Sequence, residues 1–235
     1  MQAPTAADGR RRPTGQIILK RIFKAGLALL LSLPMLWLAN AIRMEITNPG
    51  VALGADPAEA VVLFLGEWGL RFLLLGLLIS PLRRRAGWNA LGRSRRMVGL
   101  FAFTYLALHF LAYLGFLAEF DWSLIVGDLT ERPYIIVGTL ALLLLVPLAA
   151  TSTSGWQRRL RRNWQRLHRL VYVSVFLGLL HLLWLTKDGF AEFAIYLLIF
   201  LALMVERLLA RRAPERRTAE RRTATGQTAT GQTGA

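Results

Sequence analysis

Long apolar runs without a single charge, separated by short clusters of arginine, restrict this chain to a bundle of membrane-crossing helices. A bilayer core of about 30 Å takes around 20 apolar residues of helix. A backbone crossing it must satisfy its hydrogen bonds internally, which favours helices. No charged side chain lies between Lys24 and Arg43, between Arg96 and Glu119, between Arg132 and Arg158, or between Arg169 and Lys187. Residues 61–82 form a comparable run that carries Glu67 and Arg71, and residues 190–209 form another with its acids, Glu192 and Glu206, near the ends. Pro34 interrupts the first run, which membrane helices tolerate. The prediction is an all-α integral membrane protein with six spans. Hydrophobic residues make up 54% and charged residues 18%, against roughly 45–50% and about 25% in a soluble domain.

The basic residues set the orientation. Twenty-five of the 29 Lys and Arg precede the first span, lie between the second and third or the fourth and fifth, or follow the sixth. The other connections hold only Arg43, Arg132 and Lys187. By the positive-inside rule both termini are cytoplasmic in a multi-pass protein of a bacterial inner membrane. The formal net charge of +15 is then a lipid-facing charge, because every basic cluster abuts a span. Nucleic acid is not expected as a partner. Residues 1–21 are read as a cytoplasmic segment, 22–210 as the six-helix domain, and 211–235, polar and low in complexity, as a disordered cytoplasmic tail. Ala39-Asn40-Ala41 resembles a signal-peptidase site after an apolar stretch; the first run is read as a retained span.

Without cysteine, the chain can build no disulfide, thiolate metal site or iron–sulfur cluster. Metal or redox chemistry falls to three histidines or a bound cofactor. His109 lies within the third span, His181 within the fifth, and His168 at the cytoplasmic entrance to the fifth. Ionisable groups at membrane depth are costly and suggest function, though a histidine can also be hydrogen-bonded glue between helices. Counted from the outer ends of their spans, His109 and His181 lie about 13 and 9 Å deep at 1.5 Å per residue. Two imidazoles at one level on different helices can grip a flat metal macrocycle. Gly178 and Ser174 on the face of His181, and Ala102 and Ala112 on that of His109, leave room for one or permit close packing. Tyr105, Tyr113 and Trp184 flank the same faces.

His168 precedes His181 by 13 residues, about 20 Å lower on an ideal helix and about 140° round it. Its level on the third span is near Arg95 and Arg96. It is read as a surface histidine, a quinone, flavin or propionate contact, or a ligand to a second haem. Glu67 and Arg71 are an i, i+4 pair that can neutralise one another; alternatively Arg71 meets an anionic group such as a haem propionate or flavin phosphate.

The runs RRMVGLFAFTYLALHFLAYL from Arg95, RNWQRLHRLVYVSVFLGLLHLLWL from Arg162 and GEWGLRFLLLGLLISPLRR from Gly66 resemble the MsrQ (YedZ) family. More broadly, they resemble the ferric-reductase-like transmembrane domain shared with NADPH oxidases. The resemblance covers all but the termini. In the wider family two histidines on each of two helices hold two stacked b-type haems. His109 and His181 match the outer pair, His168 matches one of the inner pair, and the fourth position falls at Arg95, so one haem b is expected and a second is left open. The resemblance further implies FMN, electrons from quinol, and a periplasmic molybdopterin methionine-sulfoxide reductase, MsrP, as partner. Oxidases of the wider family append a nicotinamide-binding domain after the last helix, where this chain has about 25 polar residues. No catalytic substrate site is expected in the chain itself.

The expected function is that of a membrane b-type cytochrome passing electrons to a reductase that repairs oxidised proteins. The alternative is a proton relay through His109 and His181 in a transporter or channel. Such proteins often show inverted repeats and broken helices, and the sequence displays no evident repeat.

Overall fold

The computed structural model describes residues 14–87, 91–185 and 190–230, and every regular element among them is helical. Arg10, Arg11, Arg12 and Lys187, used above for orientation, lie outside the described residues. The chain divides after Pro57 into two compact units.

The first unit is built on α1 (Thr14–Thr47), which carries the first apolar run straight through Pro34. The turn after it is gathered by Glu45, whose carboxylate accepts backbone N–H groups from Gly50, from Ala52 at 3.0 Å and from Leu53 at 2.9 Å. Gly50 and Gly54 have φ of +83° and +82°, where glycine costs least.

The second unit contains α2 (Pro57–Ala86), α3 (Leu91–Ala112) with a π-helical turn at Tyr113–Leu117, α4 (Trp122–Glu131), α5 (Pro133–Ala150), α6 (Ser154–Leu167), α7 (Leu170–Leu185) and α8 (Phe190–Thr230). Local signals place the ends. Proline opens α2 and α5, where its missing N–H costs nothing. Arg83, Arg84 and Arg85 occupy the last turn of α2, complementing its dipole. Asp121 caps α4 by accepting the Ser123 amide at 2.7 Å and the Ser123 hydroxyl at 2.8 Å. Both contacts hold its carboxyl below the usual range. Thr153 caps α6 by accepting the Trp156 amide.

Five helices are each long and apolar enough to cross a bilayer, and α6 with α7, bent by 45° at their junction, can supply a sixth span. Part of the fourth run departs from expectation. The span ends at Ala150, and the polar residues after it form a loop and then α6, which kinks at Arg161 (φ +45°) and carries basic side chains at Arg158, Arg159, Arg162 and Arg166. That pattern suits a helix lying at a membrane surface. The span predicted at residues 190–209 is the first half of α8, whose backbone is helical from Phe190 to Thr230.

Specific contacts order the helices of this unit. Phe72 meets Tyr105 edge to face at 5.1 Å, joining α2 to α3. Helix α5 packs most extensively on α7 and also touches α3, and α7 touches α8. Between α8 and α2, Arg84 pairs with Glu206 at 2.6 Å, and Arg207 donates to the Leu77 carbonyl at 2.9 Å. The sequence of neighbours α2, α3, α5, α7, α8 and back to α2 is therefore closed. Leu77, Val98, Tyr105, Val175 and Leu179 are buried in it, while Leu140 and Leu143 of α5 and Leu198 and Leu201 of α8 are exposed. An apolar exterior of this kind is what lipid covers.

Candidate functional site

His109 on α3 and His181 on α7 meet inside the bundle, their ring centroids 6.2 Å apart and their planes at 83°. Each ring is fixed by a backbone carbonyl of the preceding span. His109 Nδ1 lies 2.7 Å from the Val62 carbonyl oxygen, and His181 Nδ1 lies 2.7 Å from that of Tyr134. A carbonyl can only accept, so each Nδ1 carries the proton and donates it. In the neutral imidazole this leaves the Nε2 lone pair free, the form that ligates a metal.

The two fixtures are copies. Both histidines follow their carbonyl by 47 residues, and the second fixture repeats the first at an offset of 72. The glycines repeat as well. A Cβ at Gly66 would stand 2.9 Å from His109 Nδ1, and one at Gly138 would stand 2.7 Å from His181 Nδ1. Helices α2–α3 and α5–α7 thus form a repeat that the sequence reading missed. It rests on two backbone carbonyls and two glycines, and the side chains around them differ. The equal spacing of Gly66 to His109 and Gly138 to His181 was the available signal.

A cavity of about 200 Å³ opens beside the rings, lined by Gly66, Leu70, Gly138, Ser174 and Gly178 among others. The expected small residues separate here. Gly178 and Ser174 line the cavity, whereas Ala102 and Ala112 are buried elsewhere in the packing. The Ser174 hydroxyl also donates to the Ala141 carbonyl at 2.8 Å. Of the three aromatics, Tyr105 is buried in the core, Tyr113 lines the cavity, and Trp184 is exposed.

These residues fit a metal macrocycle. The 6.2 Å between the ring centroids leaves room for one metal atom between the two rings, so His109 and His181 would hold the metal of such a group. Among the described residues no group of three His, Asp or Glu converges as a metal site.

Arg71 is engaged within the protein. It donates to Glu67 at 2.8 Å, to Glu192 at 3.2 Å and, through Nε, to the Tyr196 hydroxyl at 2.8 Å, and Tyr196 in turn donates to Glu192 at 2.8 Å. The expected i, i+4 pair is present, enlarged by two partners on α8 that no local spacing signals.

His168 stands apart at the junction of α6 and α7. Its ring stacks on Trp164 at 3.9 Å and 28°, and its Nδ1 donates to the Trp164 carbonyl at 3.1 Å. It lines a second cavity of about 490 Å³ with Arg95, Arg96, Arg169 and Trp164. Arg95 therefore faces the level of His168, as the helical spacing predicts.

The family described as ferric reductase like transmembrane component matches residues 65–179. The protein-methionine-sulfoxide reductase haem-binding subunit MsrQ of Caulobacter vibrioides is 50% identical over 156 residues, covering 66% of this chain and 74% of that one. MsrQ of Rhodospirillum rubrum is 46% identical over 183 residues, covering 76% and 85%. The chain belongs to the MsrQ family. An MsrQ protein of Xanthomonas campestris is 50% identical over 145 residues, covering 62% of this chain and 66% of its own. MsrQ membership agrees with the all-helical, multi-span fold, and the matched segment contains Gly66, His109, Gly138 and His168.

Proposed function

We propose that this chain is the haem-binding membrane subunit of a methionine-sulfoxide reductase system, carrying electrons from the quinone pool to a periplasmic reductase, MsrP. The observation that carries this reading is the pair of imidazoles 6.2 Å apart, each locked by its Nδ1 proton with Nε2 free to ligate. His109 and His181 hold one haem. A chain without cysteine cannot attach haem covalently through thioethers, so the haem is held non-covalently, and the family resemblance makes it b-type. Bound there, the haem supplies a one-electron carrier whose potential is tuned by ligand hydrogen bonds and burial. The protein works in a bacterial inner membrane with both termini cytoplasmic, since the arginine clusters adjoin that side.

The second cavity is assigned to the electron donor. Its guanidinium groups at Arg95, Arg96 and Arg169 suit the phosphate of FMN or the oxygen atoms of a quinol head group. The stacked Trp164 and His168 rings offer a planar surface beside them. His168 is thereby a donor-side contact.

Two measurements test the reading. Pyridine-haemochrome quantification should give one haem per polypeptide, and His109→Ala or His181→Ala should remove most of the Soret band while the protein remains inserted. A full haem complement with an unchanged low-spin spectrum in either variant rejects the ligands, and a colourless wild-type protein favours a proton relay. With the haem reduced in nanodiscs, the periplasmic reductase and a methionine-sulfoxide substrate should reoxidise it. Haem that stays reduced, beside a partner active with an artificial donor, rejects the electron-delivery role.

A further inference from the structure

Each liganding imidazole reaches a carbonyl that is already inside a helix, and the way it gets there singles out one position per helix. In α2 the Val62 carbonyl accepts the helical N–H four residues on, that of Gly66, and in α5 the Tyr134 carbonyl stands in the same relation to Gly138. A carbonyl oxygen has a second lone pair, which the imidazole uses. The Cα–Cβ bond of a helical residue tilts toward the N-terminus, so a side chain at position i+4 leans over the carbonyl of residue i. At both places that residue is glycine, and a Cβ would meet His109 Nδ1 at 2.9 Å and Cε1 at 3.0 Å, or His181 Nδ1 at 2.7 Å and Cε1 at 2.9 Å. A Cβ at either position therefore forces the ring or the helix to shift, at the expense of the 2.7 Å hydrogen bond.

Resting on the ligand assignment above, we infer that Gly66 and Gly138 are paired positioning residues that admit the two imidazoles to the Val62 and Tyr134 carbonyls and so fix both ligands as Nδ1–H donors. The carbonyls belong to the backbone and no side-chain exchange removes them, so the glycines are where the chain controls this hydrogen bond. Donation from Nδ1 raises the basicity of Nε2 and stabilises the oxidised metal. A ring displaced from its carbonyl is a weaker donor, and the midpoint potential moves in the positive direction. Because the fixture occurs twice, either substitution has the same kind of effect.

The test compares wild type with Gly66→Ala and Gly138→Ala, using Gly26→Ala and Gly127→Ala as controls, since a Cβ at either control position meets nothing within 4 Å. Haem affinity should fall about 10- to 100-fold in the first two variants, the scale seen when partners of metal ligands are removed. Haem remaining in them should show a positive shift in potential and altered low-spin electron paramagnetic resonance g-values, and the controls should match wild type. A second measurement does not depend on variants that fold. In wild type labelled with ¹⁵N-histidine and reduced, both ligand rings should show an Nδ1-bound proton that exchanges slowly with solvent. Variants equal to wild type in affinity, potential and g-values, or a ligand ring lacking the Nδ1 proton, overturn the inference and leave the ligand assignment standing. A wild-type protein without haem, or a His109→Ala variant with a full complement, overturns both.

Discussion

Arg71 on α2 and Tyr196 on α8 are joined by a 2.8 Å hydrogen bond, and the same guanidinium serves the carboxylates of Glu67 and Glu192. One cation answers two anions, Glu67 on its own helix and Glu192 in the first turn of α8, both helices long and apolar enough to span a membrane. Arg71→Met would leave the carboxylates without a counter-charge where water is scarce. The three side chains are part-exposed, at 34%, 35% and 45%, so we expect a loss of about 1–3 kcal/mol, the scale of hydrogen bonds to charged groups, seen as a lower thermal midpoint in detergent. Adding Glu67→Gln and Glu192→Gln should recover most of it. A single Arg71→Met variant that melts like wild type contradicts this account.

The spans were legible because charge-free runs of bilayer length admit few other folds, and His109 and His181 were legible as a pair because 1.5 Å per residue converts sequence position into depth. The rest was hidden for identifiable reasons. The fixtures at Val62 and Tyr134 use backbone oxygens, which leave no mark on side-chain identity. The Arg71 cluster draws on α8, some 120 residues away, and no local period reports such a contact. The helix α4 is short and set between two spans, so its residues read as a connection until the Asp121 cap is seen.

Ser174 is buried and its hydroxyl bonds the Ala141 carbonyl on α5, the neighbour on which α7 packs most extensively. Ser174→Ala keeps the volume small and removes the bond. The carbonyl it leaves is near the intrahelical amide of α5, so the expected cost is about 0.5–1.5 kcal/mol, with haem content unchanged. Thermal unfolding together with haem quantification checks it, and loss of haem would mean that the hydroxyl serves the cavity more than the packing.

The His168 ring stacks on Trp164 in the cavity assigned to the electron donor, separate from the paired imidazoles. His168→Ala should therefore retain the haem proposed for His109 and His181, while stopped-flow reduction by a quinol or reduced flavin slows. Complete loss of haem from this variant, with the other two histidines intact, would reassign His168 as a ligand.

Docking of the proposed periplasmic reductase should depend on charge at the end of the bundle where α3 gives way to α4. The sequence places Glu119, Asp121, Asp128 and Glu131 there against Arg132, but these acids are not equivalent. Asp128 accepts the Tyr113 hydroxyl at 2.8 Å and pairs with Arg132 at 3.3 Å, so its charge is used internally. Glu119, Asp121 and Glu131 are exposed. Exposed charges act on the encounter rate and its salt dependence more than on the strength of the complex formed, and their reach is about 10 Å at 0.1 M salt. Electron delivery should therefore depend on ionic strength. Glu119→Gln with Glu131→Gln should flatten that dependence, while Asp128→Asn should leave its slope unaltered and instead release Tyr113. Haem reoxidation rates measured from low to high salt decide the matter, and equal slopes for wild type and the double variant would place the docking surface elsewhere.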